Sequence, residues 1–503
     1  MKYYIGIDLG TSSVRALLIN SDGTQIAVEG AQYDVLIPRQ GYAEQDAENW
    51  YVQTARCIRK VIAVSGIDPS DVAALSFSGQ MHGLVALNAQ GKPVANAIIW
   101  LDQRSGDAIE EIYARLGRDW VTAHTQNAIA TGFLIASLYW MKTRLAQVYR
   151  DIRQVMLPKD YIKYRLCGCI ATDYSDAAGS LAFDNERLSW SDDLIEALGI
   201  DRALFPECRP STQVMGCVTR EASDLTGLST KTLVVNGGAD QCMQAVGNAI
   251  VTPGVFALNI GTAGQVSTTA SSPVVDPLLR TNTFAHVVPG CWNVMGACLN
   301  SGISRRWFSK DILNMDDYRA LDAGVKKVEP GSGGLIFLPY LTGERTPHMD
   351  PKARGMFFGL TLKHGRMEME RAVMEGVVYA LKDCLNILKG LGIPCEKVIA
   401  AGGGAKSDAW LQMQADIFEC AVYPSASSEQ ACLGAALTAM VGSGAFSGFE
   451  AACQACVKPV TEAFYPIEAN ARVYRELYSV FDALYPANKA LFARVSELNQ
   501  GDQ

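Results

Sequence analysis

A chain of 503 residues exceeds what one hydrophobic core organises, which predicts two lobes of roughly 200 to 250 residues with a cleft between them. The composition, 49% hydrophobic and 19% charged, is that of a globular protein without low-complexity tracts. With 44 Lys plus Arg against 52 Asp plus Glu, the net charge of −8 offers no basic field for phosphate backbones and argues against nucleic acid as a partner.

The opening MKYYIGIDLG holds one Lys but no apolar stretch of secretory-signal length, so a cytoplasmic protein is expected. Tyr3 to Asp8 and Val14 to Ile19 read as strands, and Ser21-Asp22-Gly23-Thr24 is a hairpin signal before Gln25 to Glu29. Gly10-Thr11-Ser12-Ser13 therefore lies between two strands, whereas Walker and Rossmann phosphate loops lead from a strand into a helix. Helix-like Ala47 to Val64 and Phe133 to Gln147 alternate with strand-like Val72 to Phe77 and Val94 to Trp100, the mark of an α/β fold. Pro253-Gly254 punctuates a lobe boundary near 245 to 255, dividing the chain into 1–248 and 249–503.

Beyond the boundary, Val255 to Ile260, the turn Gly261-Thr262-Ala263-Gly264, and Gln265 to Thr269 repeat the first unit: NIGTAGQV answers DLGTSSV. Met369 to Leu391 has helical spacing, and the strand Lys397 to Ala401 leads through Gly402-Gly403-Gly404-Ala405 toward a helix starting near Ser407. Residues 430 to 449 carry no charge and are long enough to span a bilayer, but Gly, Ala, Ser and Thr dominate them, so a tightly packed internal helix is expected and no membrane. The 14 Cys read as small buried hydrophobes rather than a disulfide framework.

Transfer of a phosphoryl group to a hydroxyl needs amides around the phosphates, a metal, and a carboxylate to take the hydroxyl proton. The glycine turns, with Thr11, Ser12, Ser13 and Thr262, suit the first need, although either turn alone also reads as an ordinary hairpin. Asp8 stands at a strand end beside the first turn, where a hard oxygen ligand meets Mg²⁺, and its counterpart in the second copy is Asn259. Asp240 follows the strand-like Thr232 to Val235 and opens a helix, so it reads either as an N-cap or as a base whose ionised form the helix N-terminus favours. Ser78-Gly79-Gln80-Met81-His82-Gly83 leaves a strand end, where Gln and His can bind hydroxyls while Met81 and Trp100 offer apolar faces.

These pieces in this order resemble the FGGY carbohydrate kinases, from Tyr4 to about Gly442. Gly355-Met-Phe-Phe-Gly359-Leu360 followed by Glu368-Met-Glu-Arg-Ala372-Val-Met-Glu375 fits that family's C-terminal signature. The family implies two actin-like, ribonuclease H-like α/β lobes, a sugar-binding one at 1–248 and a nucleotide-binding one at 249–503, with ATP and Mg²⁺ as cofactors. It implies Asp240 as base, Asp8 for the metal, and Met81, His82, Trp100, Asp240 and Gln241 around the sugar. Thr11, Ser12, Gly261 and Thr262 fall at the phosphates, Gly403, Gly404 and Asp408 near the adenosine, and Gly302 and Trp307 beside the adenine. Within the family, Gln80-Met-His82-Gly, Leu157-Pro-Lys-Asp-Tyr161, Ser175-Asp-Ala-Ala-Gly179 and Leu338 to His348 look like members acting on D-xylulose, phosphorylated at position five. A homodimer is common there. Ser137, Arg15 and Gln241 depart from the frequent residues and bear on the sugar's stereochemistry, leaving ribulose, L-xylulose or gluconate kinases, and a silent sugar sensor, as rivals.

Overall fold

The computed structural model describes residues 1–458 and 462–500, and its two largest sheets follow one plan. In the first, Tyr3–Leu9 pairs antiparallel with Ser13–Asn20, which pairs antiparallel with Gln25–Gln32. Val72–Gly79 and then Leu233–Val235 extend the other side in parallel. In the second, Gly254–Ile260 pairs antiparallel with Gly264–Ala270, while Cys395–Gly402 and Ala421–Pro424 extend it in parallel. The repeated unit expected from DLGTSSV and NIGTAGQV is thus a repeated hairpin, each with its glycine turn at the same end of its sheet.

Both faces of the first sheet are covered, which is why Tyr3–Leu9 is apolar apart from Asp8 rather than alternating. Ile5, Ile7 and Leu9 pack toward Trp50 and Ile58 of the helix Ala47–Ser65, whereas Tyr4 belongs to the core that contains the helix Gln430–Gly442. That helix is buried from Ala431 to Met440, as a tightly packed internal helix should be. No helix among the described residues is long and apolar enough to cross a membrane. Gln430–Gly442 runs against the helix Asp240–Gly247 with backbone touching backbone. A Cβ on Gly434 would sit 1.9 Å from the Met243 carbonyl oxygen, and one on Gly247 would sit 1.9 Å from that of Gln430.

Two elements differ from the sequence reading. Of Val94 to Trp100 only Ala97–Ile98 is a strand, because the segment bonds Ala86 and Leu84 at separate points instead of along a ladder. The helix expected over Phe133 to Gln147 breaks at Leu145, whose backbone (φ −125°, ψ 51°) is not helical, giving Leu134–Arg144 and Ala146–Asp151.

Candidate functional site

Sheet register assembles the candidate site. Asp8 lies opposite Ser78, and Ser78 opposite Gly238, so three segments distant in sequence form one row across the sheet. Ser78 Oγ donates to Asp8 Oδ1 at 2.6 Å, and among the described residues Oδ2 accepts no hydrogen bond. Two residues past Gly238, Asp240 is the first residue of its helix, and the N-cap is Ala239. Its Oδ1 is shut off from solvent and unpartnered, so the carboxylate does not serve as a cap. The ionised form is not favoured as the helix N-terminus alone would have it. Burial first, then the charge of Asp8, push the Asp240 carboxyl up from 3.8 to about 7, and the Gln241 amide offsets only part of this. An eight-residue helix offers a weak dipole against the loss of solvation.

The expected sugar residues adjoin this row: Met81 and His82 follow Ser78, Asp240 and Gln241 follow Gly238, and Trp100 bonds Thr11, three residues past Asp8. His82 has φ 76°, a left-handed backbone uncommon outside glycine, held by two contacts. Its Nδ1–H donates to the Gly179 carbonyl at 2.7 Å, and its ring stacks on Phe133 at 3.8 Å between centroids. A carbonyl only accepts, so Nδ1 bears the proton and Nε2 is left as an acceptor. Burial lowers the His82 pKa to about 4, with the Arg345 charge adding to the effect, so the ring stays neutral at physiological pH. Met81 is buried beside it, its methyl near Gly179. Trp100 is 40% exposed, its Nε1–H bonded to Thr11 Oγ1 at 2.9 Å, so a residue assigned to phosphate holds one assigned to sugar. Gln241 accepts from Gln265 Nε2 at 2.7 Å, linking the helix after Asp240 to the second sheet.

On the other side, Gly261, Thr262, Gly302, Gly403 and Gly404 line one cavity of about 350 Å³ with Arg305, Tyr318 and Trp410. Gly302 N–H donates to the Gly261 carbonyl at 2.9 Å, an approach so close that a Cβ on Gly302 would lie 2.2 Å from that oxygen. Arg305 spans the wall, paired with buried Glu370 at 2.8 Å and with Asp322 at 2.6 Å.

Three expected residues stand apart. Asp408 is outside the cavity wall, largely exposed and 3.5 Å from Lys326; its neighbour Ser407 lines the wall instead and caps the following helix through Trp410 N–H. Trp307 packs on Phe337 and Phe308. Ser12 is exposed on its turn, where its carbonyl accepts from Tyr33 N–H. Sequence reasoning missed Gln45, which donates to the Thr11 carbonyl at 2.7 Å and accepts from Gln80 at 2.9 Å, and it missed Phe133 beneath His82. No local motif marks either residue; only the tertiary contacts do.

Among the described residues no three His, Cys, Asp or Glu gather into a metal cluster. A cation at Asp8 would have one protein carboxylate and draw its other oxygens from phosphate and water, a donor set that suits Mg²⁺. Unengaged Oδ2 and the mutual repulsion of Asp8 and Asp240 fit that use.

Two models cover most of the chain: the N-terminal domain of the FGGY family of carbohydrate kinases matches residues 3–247, and its C-terminal domain matches 256–443. The chain belongs to the FGGY family of carbohydrate kinases. It is 34% identical to the xylulose kinase of Bacillus subtilis (strain 168) over 491 residues, covering 98% of each chain. Among solved FGGY-like structures, a xylulose kinase from Rhodospirillum rubrum superposes with a TM-score of 0.92 at 29% identity, covering 98% of this chain and 100% of that one. A gluconate kinase from Lactobacillus acidophilus superposes with a TM-score of 0.93 at 27% identity, covering 98% and 99%. The family's two-lobed α/β kinase fold is therefore the fold here, and ATP is the family's phosphate donor.

Proposed function

We propose that this carbohydrate kinase phosphorylates D-xylulose at its position-five hydroxyl, with Asp240 as general base and MgATP as donor. The observation that carries the mechanism is a carboxylate with one oxygen enclosed and unpartnered, pushed up to about 7 by burial and by Asp8, two residues past Gly238, which shares a row with Asp8. A base is most effective when its pKa lies near the working pH, because it is then both free to accept and strong enough to do so. Nearness to xylulose kinases at 34% identity, together with Gln80-Met81-His82, supports the sugar.

In this reading Met81 and Trp100 present apolar faces to the carbon skeleton, and His82 Nε2 and Gln241 accept or donate to hydroxyls. Neutral His82 adds no charge that would hold water in the pocket. Thr11, Ser12, Gly261 and Thr262 surround the phosphates, Gly302, Gly403 and Gly404 the nucleoside, and Asp8 holds Mg²⁺, which supplies charge neutralisation at the transferred group when bound. Asp408 bears on the nucleotide only through its place beside Ser407. We assign 1–248 to the sugar lobe and 249–503 to the nucleotide lobe, with 430–442 crossing back to pack on the first sheet. A cytoplasmic setting fits an ATP-dependent protein whose 14 Cys are all free thiols.

ADP release across D-xylulose, L-xylulose, D-ribulose, L-ribulose, gluconate and glycerol tests the substrate. D-xylulose is expected to give the highest kcat/KM, by tenfold or more, as roughly 1.4 kcal/mol of selective contact would produce. A preference for gluconate, the substrate named for one structural neighbour, would keep the kinase and discard the sugar. His82→Ala is expected to raise KM for the sugar about 5- to 30-fold, the loss of one hydrogen bond and a ring face, with KM for ATP unchanged. Because His82 is neutral above about pH 4, KM for the sugar should be flat between pH 6 and 8; a titration there would contradict the assignment.

A further inference from the structure

The stretches Leu157 to Tyr161 and Ser175 to Gly179 have no role in the chemistry above, yet the fold brings them together directly beneath the site. Lys159 Nζ lies 2.7 Å from Asp160 Oδ1, 3.0 Å from Asp173 Oδ1 and 3.2 Å from Asp176 Oδ2, with all four side chains at most 1% exposed. Lys163 joins Asp160 at 2.8 Å and binds Asn236 Oδ1. Burying five ionisable side chains costs solvation that their mutual attraction seldom fully returns, so stability alone is a poor reason for such a cluster. Its outlets point elsewhere. Asp173 Oδ2 accepts from the Ser175 hydroxyl, and Ser175 Oγ in turn accepts from Ala239 N–H at 2.9 Å. Asn236, clamped by Lys163, also donates to the Thr172 carbonyl at 3.1 Å. Both ends of the loop Asn236 to Ala239 are therefore tied to the cluster, and the next residue is Asp240.

We propose that Lys159, Asp173 and Ser175 are positioning residues for Asp240, fixing the Ala239 amide and with it the point at which the carboxylate meets the acceptor hydroxyl. The proposal rests on Asp240 being the base. Lys159 orients Asp173; Asp173 fixes the Ser175 hydroxyl so that a lone pair faces Ala239; and the amide sets the first turn of the helix. Ser175, fully buried on the helix Tyr174–Gly179, lies behind Gly238 and Ala239: a Cβ on Gly238 would fall 2.9 Å from Ser175 Oγ. A misplacement of about 1 Å in a reacting group is enough to cost on the order of 100-fold in rate.

Ser175→Ala, assayed with MgATP and the sugar that the panel turns over, is expected to lower kcat about 10- to 100-fold with both KM values within twofold. Asp173→Asn, isosteric and neutral, should lower kcat in the same direction with a smaller factor. The deciding measurement is Ser175→Ala placed in an Asp240→Asn background: a residue that acts through Asp240 has nothing left to lose there, so the residual rate should change less than twofold. Equal losses in both backgrounds would mark a general structural role and overturn the proposal, as would wild-type kcat in both Ser175→Ala and Asp173→Asn. Asp240→Asn alone decides the base reading. If it loses activity while Ser175→Ala does not, the base stands and the positioning device falls.

Discussion

Asp240→Asn is expected to lower kcat roughly 10²- to 10⁴-fold, the usual contribution of a positioned general base, with KM for ATP within about twofold. The substitution keeps shape and hydrogen-bonding reach and removes only the ability to take a proton. In the unsubstituted protein the proton must be absent for catalysis, so kcat/KM should fall as pH drops through about 7, approaching tenfold per unit below it. Divalent charge at Asp8 opposes one of the two causes of the raised value, so the limb in kcat at saturating MgATP should lie at lower pH than the limb in kcat/KM. A bell whose acid limb is unchanged in Asp240→Asn would show that another group titrates.

The same carboxylate has a consequence for stability. Its pKa is higher in the folded chain, about 7, than its ordinary 3.8, so the folded state holds the proton more tightly than the unfolded one. The favourable contribution is complete below about pH 4 and is lost as pH rises through 7. Asp240→Asn, with no charge to bury, should therefore raise Tm at both pH 5 and pH 8, and by several °C more at pH 8, since ~2–3 kcal/mol of the proton-linked stability is lost between them. Equal melting shifts at both pH values would deny the burial of the charge.

Gly434→Ala is expected to be among the most damaging small substitutions outside the site. The new methyl would stand 1.9 Å from the Met243 carbonyl oxygen and 3.1 Å from the Gly247 nitrogen, both of them backbone atoms that no rotamer change can remove. The helices Gln430–Gly442 and Asp240–Gly247 must part, at a cost of about 3 kcal/mol, the upper end for overpacking. Tm should drop by ~6 °C or more, and kcat should fall as well, since Asp240 begins one of the two helices. Gly390→Ala, with open space around its Cβ, serves as the control and should be neutral or slightly stabilising. A Tm for Gly434→Ala within 1 °C of the parent would mean that the helices do not touch in solution.

The repeated glycine hairpins were legible because turn chemistry is local: Gly10 and Gly261 each accommodate a reversal between apolar runs, and Asp8 in such a run stands out as a polar residue where burial penalises it. Met81, His82 and Trp100 were named by resemblance; the fold sets Met81 and His82 just past the end of Val72–Gly79 and bonds Trp100 to Thr11. Asp408 and Trp307 show the limit of that route, since a residue one position from Ser407 faces out of the cavity and an aromatic on the next helical turn packs inward. A shift of one helical position rotates a side chain by about 100°, more than motif matching can track.

By itself the sequence determined the α/β fold, the two glycine turns, the family, and the two candidate acids Asp8 and Asp240, because each rests on residue types at short spacing. Only the tertiary structure decided that Asp8, Ser78 and Gly238 share a row, that Thr11 holds Trp100, that Gly434 is where two helices touch, and that burial and Asp8 push the Asp240 carboxyl up to about 7. Strand register couples segments 70 and 160 residues apart, and a carboxyl's pKa sums desolvation over every element packed around it, so neither quantity exists until the chain has closed on itself.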